Sequence, residues 1–249
     1  MQILATGLYL IGAGIVAGLL STIAGMASLV SYPVLLSLGL PPVTANVTNT
    51  SAQIFTGIGS TLSSAKQLRR ARQATLFDTV WALGGSVCGC ILLLVAPAAS
   101  FEKAVPVLIA FAGGLMLYSL LAKPTGKARQ WHPLVKGGAL FLVGIYIGYF
   151  GASAGVITLA ILTVAEDLPF ITTNAIKNFV SFAGNALAML IYAFTADVRW
   201  VMVLTMGAGF LIGGWLGPKV VDHLPVRPLR FAIAAAAFGL AIYLAITTY

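Results

Sequence analysis

Long uncharged apolar runs alternate with short basic segments along the whole chain. Residues 1–65 carry no charge, and further uncharged runs cover 79–101, 104–122, 137–165, 178–196, 200–218 and 231–249. A helix needs about 20 apolar residues to cross a hydrocarbon core of about 30 Å. Barrel strands would be about 10 residues long with alternating polarity, and these runs do not alternate. Helices are therefore predicted, because every backbone amide in lipid must find its partner within the segment. After a long opening element in each half (8–38 and 137–165), helical runs are expected near 45–65, 75–95 and 104–122, and near 173–195, 200–217 and 229–247.

Composition agrees. Of 249 residues, 59% are hydrophobic and 8% charged, with a mean hydropathy of +1.00. A soluble domain carries about 25% charged residues, so a soluble or disordered chain is excluded and an all-α polytopic membrane protein is expected. The N-terminus lacks the basic head of a signal peptide and reads as mature structure. The net charge of +8 does not imply nucleic acid, since the basic residues sit in short loops between apolar runs. Cys88 and Cys90 share one apolar run and would diverge on a helix, so no disulfide is expected. No P-loop, H-E-x-x-H or metal-ligand cluster is present, and neither cofactor nor metal is expected.

The chain repeats itself. Gly14-Ile15-x-x-Gly18 matches Gly144-Ile145-x-x-Gly148, and Ala24-Gly25 matches Ala154-Gly155 at the same offset. One residue is then dropped, and Thr44-x-x-Val47-x-Asn49 matches Thr173-x-x-Ile176-x-Asn178. Arg70 matches Arg199, and Gly84-Gly85 matches Gly213-Gly214. This divides the chain into an N-terminal transmembrane repeat (1–122), a basic cytoplasmic linker (123–136) and a C-terminal transmembrane repeat (137–249). Internal symmetry of this kind is typical of secondary transporters.

Each opening element is interrupted by small residues, Gly25-Met26-Ala27-Ser28 and Gly151-Ala152-Ser153-Ala154-Gly155. If the element crosses fully, each half has four spans and the halves are parallel. Nine Lys and Arg then lie inside and Lys103, Lys219, Arg227 and Arg230 lie outside. If it dips in, breaks and returns, each half has three full spans and the halves are inverted. Only Lys103 and Arg199 then lie outside, against eleven inside, with Lys177 left within a helix. The positive-inside rule favours inverted repeats, each a re-entrant broken helix followed by three transmembrane helices. The opening elements suit two half-helices of about 20 Å apiece.

Two broken helices entering from opposite faces would meet near the midplane. The first amides after each break lack intrahelical acceptors and, with the helix dipole, favour an anion. Gly25 and Gly155 would let a ligand approach the backbone, and Ser28 and Ser153 could donate to it. Close helix packing is the structural alternative for these small residues. Polar stripes follow each break: Asn49, Gln53, Thr56 and Ser60, then Asn174, Asn178, Ser181 and Asn185. Two matched stripes predict a shared polar cavity. Lys177 lies about one turn inside its helical run and needs a partner at that depth. A transported anion could supply one, or the side chain could snorkel to the interface. Asp78, about as deep in its own run, is the candidate internal counter-ion, with proton coupling as its alternative role.

The sequence physics thus gives a secondary transporter of a small anion, working by alternating access. An anion channel or passive facilitator fits the same residues. A serine hydrolase is the contrasting class: residues 151–155 fit G-x-S-x-G, but the two histidines, His132 and His223, fall in predicted loops. No enzyme is expected. The expected partners are a small anionic substrate and the lipid bilayer of a cell inner or plasma membrane. The glycine-rich helices permit a homodimer without requiring one.

Thr22-Ile23-Ala24-Gly25-Met26-Ala27-Ser28-Leu29, Pro33, Leu38-Gly39-Leu40-Pro41-Pro42 and Ala45-Asn46-x-Thr48-Asn49 together resemble the TauE/SafE family of membrane anion exporters. So do Gly148-Tyr149-Phe150-Gly151-Ala152-Ser153-Ala154-Gly155 and Asn174-Ala175-x-Lys177-Asn178 in the second half. Met26-Ala27 departs from the more glycine-rich first break common in the family. The resemblance implies export of sulfite or a small organosulfonate such as sulfoacetate.

Overall fold

The structure is a computed structural model that describes residues 2–121, 131–220 and 226–248. Most of the expected linker, 122–130, lies outside the described residues. Among those described, the chain forms twelve helices and no strand. They are α1 (Gln2–Ala24), α2 (Ser28–Ser37), α3 (Pro42–Ala52), α4 (Ile54–Ser63), α5 (Ala65–Arg70), α6 (Arg72–Val95), α7 (Ala98–Leu121), α8 (Pro133–Tyr149), α9 (Ala154–Ala165), α10 (Phe170–Thr195), α11 (Trp200–Val220) and α12 (Val226–Thr248). Five are by length and composition able to cross a membrane: those over Leu4–Ala24, Arg72–Val95, Ala98–Tyr118, Phe170–Thr195 and Trp200–Lys219.

Both opening elements break where small residues predicted. α1 stops at Ala24 and α2 starts at Ser28, while α8 stops at Tyr149 and α9 starts at Ala154. Gly25 (φ +74) and Gly151 (φ +72) take the left-handed conformation that only glycine adopts without strain. The half-helices are less equal than expected. α1 has 23 residues and α2 has 10, about 34 and 15 Å, whereas α8 has 17 and α9 has 12, about 26 and 18 Å. The run expected over 45–65 is two helices, separated at Gln53, where Gln53 N–H still donates to Asn49 O and its own carbonyl accepts from Gly57.

Glycine contacts fix the relative directions of the helices. α1 runs alongside α11, with Gly14 against Gly209, Gly18 against Gly213 and Thr22 against Gly217. α3–α4 runs the same way along α11. Thr48 Oγ1 accepts from Arg199 N–H at 3.1 Å, Phe55 packs on Gly207, and Gly59 meets Gly214. α1 and α3–α4 therefore point in one direction, and the chain between Ala24 and Pro42 travels back. α8 and α10 share the direction of α6 in the same manner: Gly144 meets Gly85, Gly148 meets Cys90, and Ser86 Oγ donates to Gly184 O.

The two seams superpose in detail, with one correction to the repeat register. A Cβ on Gly209 would lie 2.8 Å from Ile15 N and one on Gly213 2.8 Å from Leu19 N. Gly85 and Gly89 meet the counterparts of those atoms, Ile145 N and Tyr149 N, at 2.8 and 2.9 Å. The structural equivalents are thus Gly85 with Gly209 and Gly89 with Gly213, not Gly84-Gly85 with Gly213-Gly214. The short α5 exists only in the first half, and its extra residues shift the register. The halves also interlock, since the opening helix of each packs on the second spanning helix of the other, α1 on α11 and α8 on α6. Small residues drive this, because close backbone approach supplies the packing energy that lipid cannot.

Candidate functional site

The two breaks touch. A Cβ on Gly25 would sit 2.6 Å from Gly155 Cα, and one on Gly155 2.5 Å from Gly25 Cα. Only hydrogen fits at either position. Around this contact lies a cavity of about 20 Å³ lined by Ser21, Gly25, Ala27, Gln53, Ile147, Gly151, Ala154, Gly155, Ser181 and Asn185. A second hollow of about 10 Å³ adjoins it and adds Thr56, Gly57, Ser60, Asn178 and Phe182. The two predicted breaks and the two predicted polar stripes therefore converge on one small polar space. Ser21 borders both hollows and was not singled out from sequence; its position four residues before Gly25 was the available signal.

Each predicted residue has a definite place. Ser28, at the start of α2, accepts from Asn49 Nδ2 and Gln53 Nε2, both at 3.1 Å. Ser31 Oγ lies 2.5 Å from Asn49 Oδ1, so Asn49 is clamped at both ends of its carboxamide by α2. Asn49 acts through Ser28, whereas Gln53 borders the cavity itself. Ser153 sits at φ 59, left-handed without being glycine, and its hydroxyl donates to Ala112 O at 3.4 Å. Such a residue stores on the order of 1–2 kcal/mol of backbone strain. Asn185 borders both hollows, and Asn178 Nδ2 reaches Thr22 O at 3.5 Å.

Lys177 is buried, and its ammonium donates to Ser21 O and Thr22 O, both at 3.1 Å. Asn174 Nδ2 donates to Thr22 O as well, at 3.1 Å. These are the carbonyls that end α1, where the helix dipole is negative. The end of α8 is treated likewise: Asn46 Nδ2 donates to Tyr149 O at 2.9 Å and Tyr192 Oη to Gly148 O. The two carbonyl-bearing helix ends at the centre are thus compensated by donors. Ala27 and Ala154, at the opposite ends, line the cavity; neither helix start has a side-chain cap, and Ala154 N–H donates to Gly151 O at 3.2 Å. The dipole-positive starts of α2 and α9 thus meet at the cavity without a side-chain acceptor.

Asp78 faces a different ammonium from the one anticipated. Its Oδ1 lies 2.8 Å from Lys136 Nζ, which is also 2.5 Å from Glu166 Oε1. Lys136 belongs to the first turn of α8 and not to a solvated linker, and sequence reasoning gave Glu166 no role. Asp78 approaches both only because α6 and α8 pack closely at Gly85 and Gly144.

Helical spans, interlocked halves and a central polar cavity between broken helices define a polytopic membrane transporter. The chain belongs to the family described as Sulfite exporter TauE/SafE, whose family model matches residues 10–244. It is 28% identical over 215 residues to a Haemophilus influenzae protein named "Probable membrane transporter protein", covering 84% of this chain and 82% of that one. It is 26% identical over 240 residues to the Sinorhizobium protein ORF9 of the same description, covering 95% and 91%. Escherichia coli YfcA, likewise named a membrane transporter protein, is 26% identical over 243 residues, covering 91% and 86%. No solved structure matches. Family and relatives are transporters, in keeping with the non-enzymatic reading.

Proposed function

We propose that this protein exports a small anion, sulfite or an organosulfonate such as sulfoacetate, by alternating access at the cavity between the two breaks. The observation that carries the reading is the asymmetry of compensation there. Lys177, Asn174, Asn46 and Tyr192 neutralise the carbonyl ends of α1 and α8, whereas the starts of α2 and α9 border the cavity without a side-chain acceptor. Amides at such helix starts bind oxyanions. Gln53, Ser181 and Asn185 add directional donors, and Lys177 adds charge nearby. The sulfur chemistry rests on the family description.

The membrane arrangement proposed is a pair of inverted repeats with re-entrant opening elements. Its support is that α1 and α3–α4 run one way along α11 while α8 and α10 run with α6. The charge count then places the face with residues 66–72 in the cytoplasm. Apolar layers flank the cavity on both sides, which supports a carrier over an open channel. Toward the cytoplasmic face lies an apolar layer of Ala82, Leu140, Leu162, Ile176 and Val180. On the other side Phe150 packs against Tyr32 and Phe101, with ring centroids 5.4 and 6.0 Å away. A space of about 20 Å³ holds roughly one water, so substrate binding requires these layers to part. Thermal-shift titration of the purified protein with sulfite, sulfate, thiosulfate, sulfoacetate and taurine tests the reading. Stabilisation by an oxyanion, followed by its flux in proteoliposomes, is expected; the absence of any anion effect overturns it.

A further inference from the structure

The central site leaves the Asp78–Lys136–Glu166 cluster unused. It sits about three helical turns from the cavity, beyond the apolar layer, where a hollow of about 490 Å³ is lined by Phe77, Trp131, Lys136, Glu166, Asp167 and neighbours. Asp78 is fully buried, and Glu166 and Lys136 side chains are 10% and 12% exposed. Two carboxylates thus share one ammonium. Lys136 Nζ lies 2.5 Å from Glu166 Oε1 and 2.8 Å from Asp78 Oδ1, while Asp78 Oδ2 and Glu166 Oε2 are buried without a donor among the described residues. Their common ammonium brings the Asp78 and Glu166 carboxylates side by side. Two carboxylates beside one ammonium, each with an oxygen that lacks a donor, lack one thing, a hydrogen to share.

Among the described residues, no other charged group pairs with them. On α10, Lys177 donates to Ser21 and Thr22 instead. Arg69 and Arg72, from α5 and the start of α6, line a separate hollow with Thr75. Asp167 lines the larger hollow and adds negative charge to it. The cluster is confined to one half. The corresponding positions of the other repeat carry Thr6, Leu36 or Ser37, and Met202, so the fold itself does not demand it.

Its position gives it leverage. Lys136 is in the first turn of α8 and Glu166 directly follows α9. The outer ends of both half-helices of the second break are therefore tied to α6 at this cluster, and their inner ends border the cavity. We propose that Asp78 and Glu166 form a one-proton site, filled from the cytoplasmic hollow, which locks or frees the α8–α9 hairpin. A proton arriving through water adds to one carboxylate oxygen, and the new O–H donates to the other carboxylate, leaving the cluster neutral with Lys136. Its departure restores two like charges that push Glu166 from Asp78. Coupling of this proton to transport rests on the function proposed above.

Infrared spectroscopy of the purified protein in nanodiscs tests the site without any substrate. A protonated-carboxyl stretch that grows in as the pH is lowered from 8 to 5, and is lost in both Asp78→Asn and Glu166→Gln, is expected. Its absence from the wild-type protein overturns the proposal, whether or not the variants fold. In proteoliposomes with trapped pyranine, a sulfoacetate gradient should move protons in the wild type. Glu166→Gln should lose the proton signal and keep sulfoacetate counterflow. Sulfoacetate flux without proton movement refutes coupling. Absence of sulfoacetate flux refutes sulfoacetate as substrate, and the infrared result still decides the proton site.

Discussion

Gly25→Ala is the sharpest perturbation of the central contact. Alanine at φ +74 costs about 1–2 kcal/mol in backbone strain. Its Cβ would also lie 2.6 Å from Gly155 Cα, with backbone on both sides. Overpacking against atoms that cannot rotate away adds about 1–3 kcal/mol. The sum, about 2–5 kcal/mol, is a large share of the 5–15 kcal/mol that stabilises a typical domain. Two controls separate the parts. Gly39 has φ +84 with nothing within 4 Å, so Gly39→Ala carries only the backbone cost. Gly155→Ala lacks the positive φ and carries only the clash. Thermal unfolding in detergent should rank the variants with Gly25→Ala lowest and Gly39→Ala nearest wild type. Anion-induced stabilisation should vanish in Gly25→Ala and Gly155→Ala and survive in Gly39→Ala. Equal tolerance of Gly25→Ala and Gly39→Ala, in both stability and binding, would refute the touching breaks.

Lys177→Ala removes two ammonium–carbonyl bonds, each worth about 1.5–3 kcal/mol when buried, and exposes the negative end of α1 to the cavity; anion binding should fall at least tenfold, and wild-type affinity would exclude Lys177 from the site. Ser28→Ala leaves the amides of Asn49 and Gln53 without their acceptor, costing about 1–3 kcal/mol and weakening transport, as thermal shift and proteoliposome flux would register. With Cys88 and Cys90 replaced by serine, cysteines at Asp167 and Lys219 should react with an impermeant reagent from the cytoplasmic side and one at Gly39 from the opposite side. Labelling of Asp167 from outside alone would favour parallel halves.

Much of this molecule was legible in one dimension. In lipid, backbone polar groups must be satisfied within the segment, so long uncharged runs could only be helices, and residues 72–95 and 170–195 behave accordingly. The breaks were legible because glycine marks a backbone that turns left-handed, as at Gly25 and Gly151. The polar stripes were legible because carboxamides at helical spacing cannot face lipid. Partners were not. For Lys177 the sequence offered a transported anion or, as internal counter-ion, Asp78, since charge and depth were the only guides. The fold instead brings Lys177 to the carbonyls of Ser21 and Thr22, and Asp78 to Lys136 and Glu166. Those separations of 58 to 156 residues are closed by glycine seams whose register depends on α5, an insertion that periodicity alone did not weigh. Sequence sets which residues must avoid lipid and where a helix must end. Which donor meets which acceptor depends on how closely the backbones approach, and that is a property of the packed helices together.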